Sequence, residues 1–389
     1  MIPRLSFHQM GRALAIGGLN LVLSLASAHA AHFITLYHFR NSTDGESPLG
    51  GLVQDSAGVL YGTTSEGGDP TCHRDCHAHG TVFSFSNTAG LKTLVYFNGP
   101  NGDGPGSTLL LSRDTLVGTS GGGAYNDGVI FSLHTDGTEF RLLHQFSGAD
   151  GNNPVGTPQL GTDGILYGIA FFGGADNYGV LFSIAKDGTY TILHNFTGGT
   201  DGANPDSLLI ASDGELFGST YLGGDITGCS APTGCGVIFS YTPSTDQFAV
   251  AYTIQPGLTA NPLLGRIGAG PTVYGTTAGL DVNQIFALGP TGFNVEDINY
   301  YYAGMQEPGP ELAPDRSLVL AIGQGNLNGG GVLMHIKNDV ITQSIFFNGS
   351  YNKGGTPGQP LVTSTGVIYG TTGNGGACYS CGTIYEITP

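Results

Sequence analysis

The chain has 389 residues, a formal charge of −17 and only 11% charged side chains. Acidity on this scale disfavours nucleic acid and anionic membrane surfaces as partners through the overall field. The acidic residues are scattered rather than blocked, unlike a disordered tail, and the 67 glycines follow a repeat, which assigns them to turns.

Arg4 and Arg12, an apolar run from Ala13 to Leu25 and the small residues Ala28-His29-Ala30 predict a secretory signal peptide over residues 1–30. The run is too short to span a bilayer and no other span follows, so a secreted or periplasmic protein is expected. No Cys follows the run to carry a lipid. Residues 31–389 are expected to form one domain, opening with a lone strand, Phe33–Phe39.

From there the chain repeats. An aromatic-Gly-Thr element recurs as Tyr61-Gly62-Thr63-Thr64, Val117-Gly118-Thr119-Ser120, Tyr167-Gly168, Phe217-Gly218-Ser219-Thr220, Tyr274-Gly275-Thr276-Thr277 and Tyr369-Gly370-Thr371-Thr372, with a degenerate copy at Leu320-Ala321. Each copy precedes large residues two apart, such as Phe83/Phe85, Phe131/Leu133, Phe239/Tyr241 and Tyr385/Ile387, the period of a strand. The small residues between them (Ser84, Ser132, Ser240) let neighbouring sheets interdigitate. A third apolar segment (Leu142–Phe146, Ile192–Phe196, Asn299–Tyr302) and a fourth before each Asp-Gly turn (Ser207–Ala211) complete the unit.

Four strands in a period of about 50 residues, seven times over, predict a seven-bladed β-propeller of four-stranded blades. The last copy stops after its third strand at Pro389, so the N-terminal strand is expected to complete the last blade and close the ring.

The six Cys fall in local pairs, Cys72/Cys76, Cys229/Cys235 and Cys378/Cys381, each between the second and third strands of a blade. In an exported chain such pairs read as disulfides, each contributing about 2 kcal/mol by loop closure and stiffening its loop. Cys72-His73-Arg74-Asp75-Cys76-His77-Ala78-His79 also has a zinc-ligand composition, but the equivalent Cys loops carry no His, and no metal is assigned.

Loops between second and third strands, and those leading to the next blade, emerge on one face. Its first set carries Arg74, His77, His79, Tyr125, Asp127, Phe172, Asp176, Tyr178 and Tyr221. Of these, Tyr125, Asp127, Phe172, Asp176, Tyr178 and Tyr221 are the candidate ligand-binding residues, with aromatics that either stack on sugar rings or cap the ring end. The second set carries Asp44, Asp103, Asp150 and Asp201, each in an Asp-Gly turn before a proline, where Asp caps its own turn; calcium through these carboxylates is the weaker reading, and no cofactor is assigned. His144 and His194 occupy equivalent repeat positions and read as packing residues.

An enzyme would need a base and a charge neutraliser. Polysaccharide lyases on seven-bladed propellers use His or Tyr as base and Arg against the substrate carboxylate, which makes His77, His79, Tyr125, Tyr178 and Arg74 the catalytic candidates, unranked. No nucleophile elbow, zinc-protease motif or phosphate loop occurs. The absence of Trp counts against a quinone-dependent dehydrogenase.

The pattern Leu60-Tyr61-Gly62-Thr63-Thr64, Gly67-Gly68, Gly80-Thr81-Val82-Phe83, followed by a Leu-x-x-Phe strand and Asp-Gly-x-x-Pro, resembles the bacterial GloVer tandem-repeat proteins, named for Gloeobacter and Verrucomicrobia. The resemblance covers nearly all of the chain after residue 30 and fades in the fifth and sixth repeats. It implies an exported protein, often surface-anchored at its C-terminus; Ile387-Thr388-Pro389 carries no sorting tail, so no anchor is expected. It implies no activity. The expected function is a monomeric binding or interaction module for extracellular carbohydrate or a protein partner, through the loop face. The alternative is a polysaccharide-degrading enzyme, lyase before hydrolase, on that same face.

Overall fold

The computed structural model describes residues 31–40, 43–68, 79–225, 227, 234–255, 262–267, 272–277, 283–289, 292–300, 309–323, 330–337, 340–351, 353–378 and 380–389. The leader expected over residues 1–30 lies outside the described residues, as do Cys72, His73, Arg74, Cys76, His77 and Cys229.

Each blade is built on a cross-strand pair. The glycine of the aromatic-Gly-Thr element lies opposite the first large residue of the next strand: Gly62 faces Phe83, Gly118 Phe131, Gly168 Phe182, Gly218 Phe239, Gly275 Phe286 and Gly370 Tyr385. A Cβ on Gly218 would stand 2.1 Å from the Phe239 ring, and one on Gly168 2.4 Å from that of Phe182. These glycines therefore sit inside strands, under an aromatic ring, and packing rather than turn geometry requires them. The composition-based assignment of glycine to turns is incomplete in this respect. In the sixth blade the pair is Leu320 and Met334. Both partners differ together there: an unbranched thioether takes the place of the ring and leaves room for a side chain opposite.

Among the described residues the strands form seven antiparallel sheets. Six are simple four-stranded meanders, as in blade four with Ala203–Ile210, Leu216–Leu222, Val237–Thr242 and Gln247–Thr253. The seventh takes its inner pieces, Gly355–Pro357 and Leu361–Val362, and the strands Ile368–Asn374 and Thr383–Thr388 from the C-terminal end, and its outer strand, His32–His38, from the other end. Phe33 lies opposite Ile387 and His38 opposite Thr383, so the N-terminal strand closes the ring.

The core is divided among the gaps between blades. Phe83 and Phe85 of blade one pack with Phe39 and Ile384 of blade seven, while Val82 on the other face packs with Phe131 of blade two. Blades two to seven repeat this arrangement, each sending the large apolar residues of its third strand to the preceding blade, with Met334 and Ile336 in place of the aromatics in blade six. Truncating one such buried ring to Ala costs roughly 3–5 kcal/mol. The outer strand of most blades carries a bulge one residue before its last turn of pairing, for example between Leu181 and Phe182 of its neighbour. The bulge lets the closing Phe39, Phe97, Phe146 and Phe196 turn inward, each at 4% exposure or less. In blade five the outer strand runs Gly292–Tyr300, starting before the expected Asn299–Tyr302 segment, and Phe293 stacks on Tyr252 at 4.0 Å.

Candidate functional site

Hydrogen bonds knit the two loop sets together on one end of the ring. The backbone of Asp103 bonds Gly121, Asn153 bonds Asp127, and Asn204 bonds Tyr178, so the loops entering blades two, three and four are fixed to the second-third loop of the blade before or of their own. Two of the second-third loops share the sequence Gly-Gly-Ala-x-Asn-x-Gly, at 122–128 and 173–179. Their Asn126 and Asn177 take positive φ, 63° and 60°, a conformation Asn tolerates, and Ala124 and Ala175 donate to the side chains of Gln145 and Asn195. The loops are thus held at both ends, and their variable positions point outward.

Those positions carry the candidates. Tyr125 is 65% exposed, Tyr178 43% and Phe172 41%. Asp176 is exposed, and Tyr221 is half-buried. Phe172 stands edge-on to Phe171 at 4.7 Å, and Phe171 tilts against Tyr221 at 6.1 Å, so blades three and four share one aromatic cluster. The Tyr178 ring lies over Gly198, where a Cβ would come within 2.7 Å. Asp127 has a different job: its Oδ1 accepts from Asn152 Nδ2 at 2.5 Å and ties blade two to blade three. The structure therefore brings together Phe172 and Tyr221 through Phe171, sets Tyr178 over Gly198 on the neighbouring loop, and leaves Tyr125 on blade two.

Of the catalytic candidates, His79 is described: its Nδ1 lies 2.9 Å from Asp103 Oδ1 at a half-exposed position. Among the described residues, no hydrogen bond, ion pair or ring contact joins His79, Tyr125 and Tyr178 to one another. The Asp-Gly carboxylates are engaged internally. Asp44 accepts from Tyr37 Oη at 2.7 Å, Asp150 from His144 Nε2 at 2.9 Å and from Ser147, and Asp201 from His194 Nε2 at 3.0 Å and from Thr197. His144 stacks on Tyr190 at 3.9 Å and His194 on Phe248 at 3.7 Å, both nearly parallel. Burial lowers the His194 pKa, against the pull of Asp201. These histidines bind one blade to the next. Cys378 and Cys381 form a disulfide, and Cys235 is disulfide-bonded. Among the described residues no three His, Cys, Asp or Glu gather as a metal site, and no helix is long and apolar enough to cross a membrane.

A cavity of about 820 Å³ runs along the axis, lined by the inner strands of all seven blades. It opens on the loop face at Leu49, which lines it and is 51% exposed. Asp206 lies in its wall. The sequence reading passed over this residue, although a signal exists: after the proline of the blade-entering loop, Leu49, Gly106, Val155 and Gly358 stand where blade four has Asp206.

Fold and site together define a closed seven-bladed propeller of tandem repeats, with a stiffened aromatic loop face. The chain belongs to the Gloeobacter/Verrucomicrobia repeat family, whose model matches residues 20–231 and 116–311. Comparison with curated proteins finds no match. Among solved structures, the extracellular domains of two hybrid two-component systems of B. thetaiotaomicron are similar to it. One has TM-score 0.57, 11% identity and coverage of 90% of this chain and 42% of that one. The other has TM-score 0.55, 14% identity and coverage of 89% and 39%. The chain thus spans about two fifths of their length, and the likeness is one of fold.

Proposed function

We propose that this propeller is an exported module that binds extracellular carbohydrate on its loop face. The observation that carries the reading is the contact of Phe171, Phe172 and Tyr221 across blades three and four, with the exposed Tyr178 held on a pinned loop and linked to them through Asn204, which donates to the Tyr178 and Phe171 carbonyls. Rigid aromatic faces gain contact with the apolar faces of sugar rings at little entropic cost, and the neighbouring exposed Asp176 supplies acceptors for hydroxyls. The signal-peptide sequence at residues 1–30 supports export, as do similar folds that work outside the cell. Gel filtration of neutral and acidic polysaccharides with the purified protein tests this. Protein travelling with intact polymer is the expected result, and Phe172→Ala and Tyr178→Ala should each weaken the association roughly three- to tenfold. Protein eluting alone with every polymer would reject it.

The enzymatic alternative rests on His79. Asp103 Oδ1 lies 2.9 Å from Nδ1 and orients the imidazole, as a general base requires. Shortened polymer in the same run, abolished by His79→Ala, would establish a lyase in place of a binding module.

A further inference from the structure

The loop that leaves the N-terminal strand and enters blade one holds an arginine without a counter-ion. Phe39, just before it, is fully buried in the gap between blades seven and one, and its N–H donates to the Gly382 carbonyl at 3.1 Å. The Arg40 N–H donates to Asp44 Oδ1 at 3.3 Å, and Tyr37 Oη donates to Asp44 Oδ2 at 2.7 Å. Both Asp44 oxygens are thus occupied in fixing the loop. The Arg40 guanidinium takes no part: among the described residues it forms no hydrogen bond or ion pair, and the side chain is exposed. With 29 acidic residues against 12 basic ones, partners are plentiful. Arg141, Lys337 and Lys92 all have one, in Glu139, Asp315 and the Asp136 carbonyl.

Arg40 instead lines a cavity of about 290 Å³ between the outer strands of blades seven and one, His32–His38 and Gly90–Tyr96. Thr93 Oγ1 donates to the Thr43 carbonyl at 3.1 Å and ties the two walls together. Arg40, Thr43 and Tyr96 are exposed, so the groups that would meet a ligand are open to it. A cation would meet the guanidinium, while the one carboxyl in the described lining, Asp44, is 8% exposed with both oxygens engaged. An apolar molecule would find one aliphatic side chain, Leu91, among hydroxyls and charge. A bare inorganic anion would use the guanidinium and leave the Tyr96 ring and the threonine hydroxyls idle. A sugar carboxylate uses all of them. Its carboxylate accepts two parallel N–H bonds from the guanidinium, its apolar face lies on the tyrosine, and its hydroxyls exchange hydrogen bonds with Thr43 and Thr93. The volume, at the small end of ligand pockets, suits one sugar ring.

We propose that this pocket binds a uronic acid residue, with the Arg40 guanidinium as counter-ion to its carboxylate. The site lies at the junction of blades seven and one, apart from the aromatics of blades three and four, and rests on the carbohydrate reading only in taking a sugar as the ligand. The formal charge of −17 disfavours general adsorption of anions, so a preference for the charged sugar reports the local guanidinium.

Calorimetric titration of the full chain with methyl glucuronide, its neutral counterpart methyl glucoside and acetate tests this. The glucuronide is expected to bind at least tenfold tighter than the other two, and to lose about tenfold in Arg40→Ala but nothing in Phe172→Ala. Arg40→Lys, which keeps the charge without the fork, should fall between. Equal affinity for the glucoside or for acetate, unchanged affinity in Arg40→Ala, or no binding of the glucuronide at millimolar concentration would each overturn the proposal. Glucuronide binding lost in Phe172→Ala and kept in Arg40→Ala would overturn the pocket and spare the carbohydrate reading of the aromatics. Binding lost only in Arg40→Ala, in a protein that travels with no polymer, would do the reverse. Arg40→Ala keeps the N–H that bonds Asp44 and so leaves the loop intact; should it fail to fold, the wild-type comparison of glucuronide, glucoside and acetate still decides.

Discussion

Asp206 makes a prediction about stability, with a sign that can be worked out. Its carboxyl is raised from the ordinary 3.8 to about 7, because desolvation outweighs the hydrogen bond from Ser219. The folded state keeps the proton where the unfolded chain has released it. The group's contribution is therefore full below about pH 4 and is lost as pH rises through 7, by a few kcal/mol at about 1.4 kcal/mol per pH unit. Asp206→Asn should remove this slope, so that the variant melts at a higher temperature than the native chain at pH 8 and at a similar one at pH 4.5. Thermal unfolding at the two values checks it. In the sequence Asp206 was hidden, because a lone Asp after a proline looks like every other loop carboxylate. Only the neighbouring hydroxyls of Ser207 and Ser219, already spent on each other, reveal its unpaired oxygen.

At the scale of the blade, the Gly218–Phe239 pair is the element's closest contact. Gly218→Ala places a Cβ 2.1 Å from the Phe239 ring and should cost roughly 1–3 kcal/mol by overpacking. Blade six shows a way out, since Leu320 and Met334 occupy the same two positions. Gly218→Ala combined with Phe239→Met should then be more stable than the sum of the single changes allows, by about 1 kcal/mol or more in a double-mutant cycle. Additivity in denaturant unfolding would remove the explanation. Strand order, blade count and third-strand alternation were legible in the sequence because period-two alternation and the repeat reinforce each other, and the faces of Phe83 and Val82 sort as expected. The glycines were misread in part, since a residue type common to turns gives no sign that a ring lies over it. The loop candidates were legible as a face and not as a cluster. Phe171, which links Phe172 to Tyr221, stands out only when blades three and four are seen side by side.

For the molecule as a whole, the ring depends on one strand taken from the far end of the chain. His32–His38 satisfies the outer edge of Thr383–Thr388 through six paired positions, and it delivers two aromatic anchors to different cores. Phe33 stacks on Tyr385 at 5.4 Å in the gap between blades six and seven. Phe39, fully buried, meets Phe83 at 5.2 Å in the gap between blades seven and one. Removal of residues 31–39 would thus expose a hydrogen-bonding edge and leave cavities on both sides of one blade, and the two losses are not independent, because blade seven then has neither a closed edge nor packed faces. The expected outcome is a chain that associates through the bared strand, read by light scattering as species larger than those of the intact chain, which is expected to be a monomer. A synthetic peptide of residues 31–40, added in excess, should restore the monomer by pairing with the same edge. Phe39→Ala keeps the strand and removes only one anchor, so it should stay monomeric while losing roughly 3–5 kcal/mol. If the truncated chain remains monomeric and melts like the full one, closure by the N-terminal strand contributes little, and the seven inter-blade cores alone hold the ring.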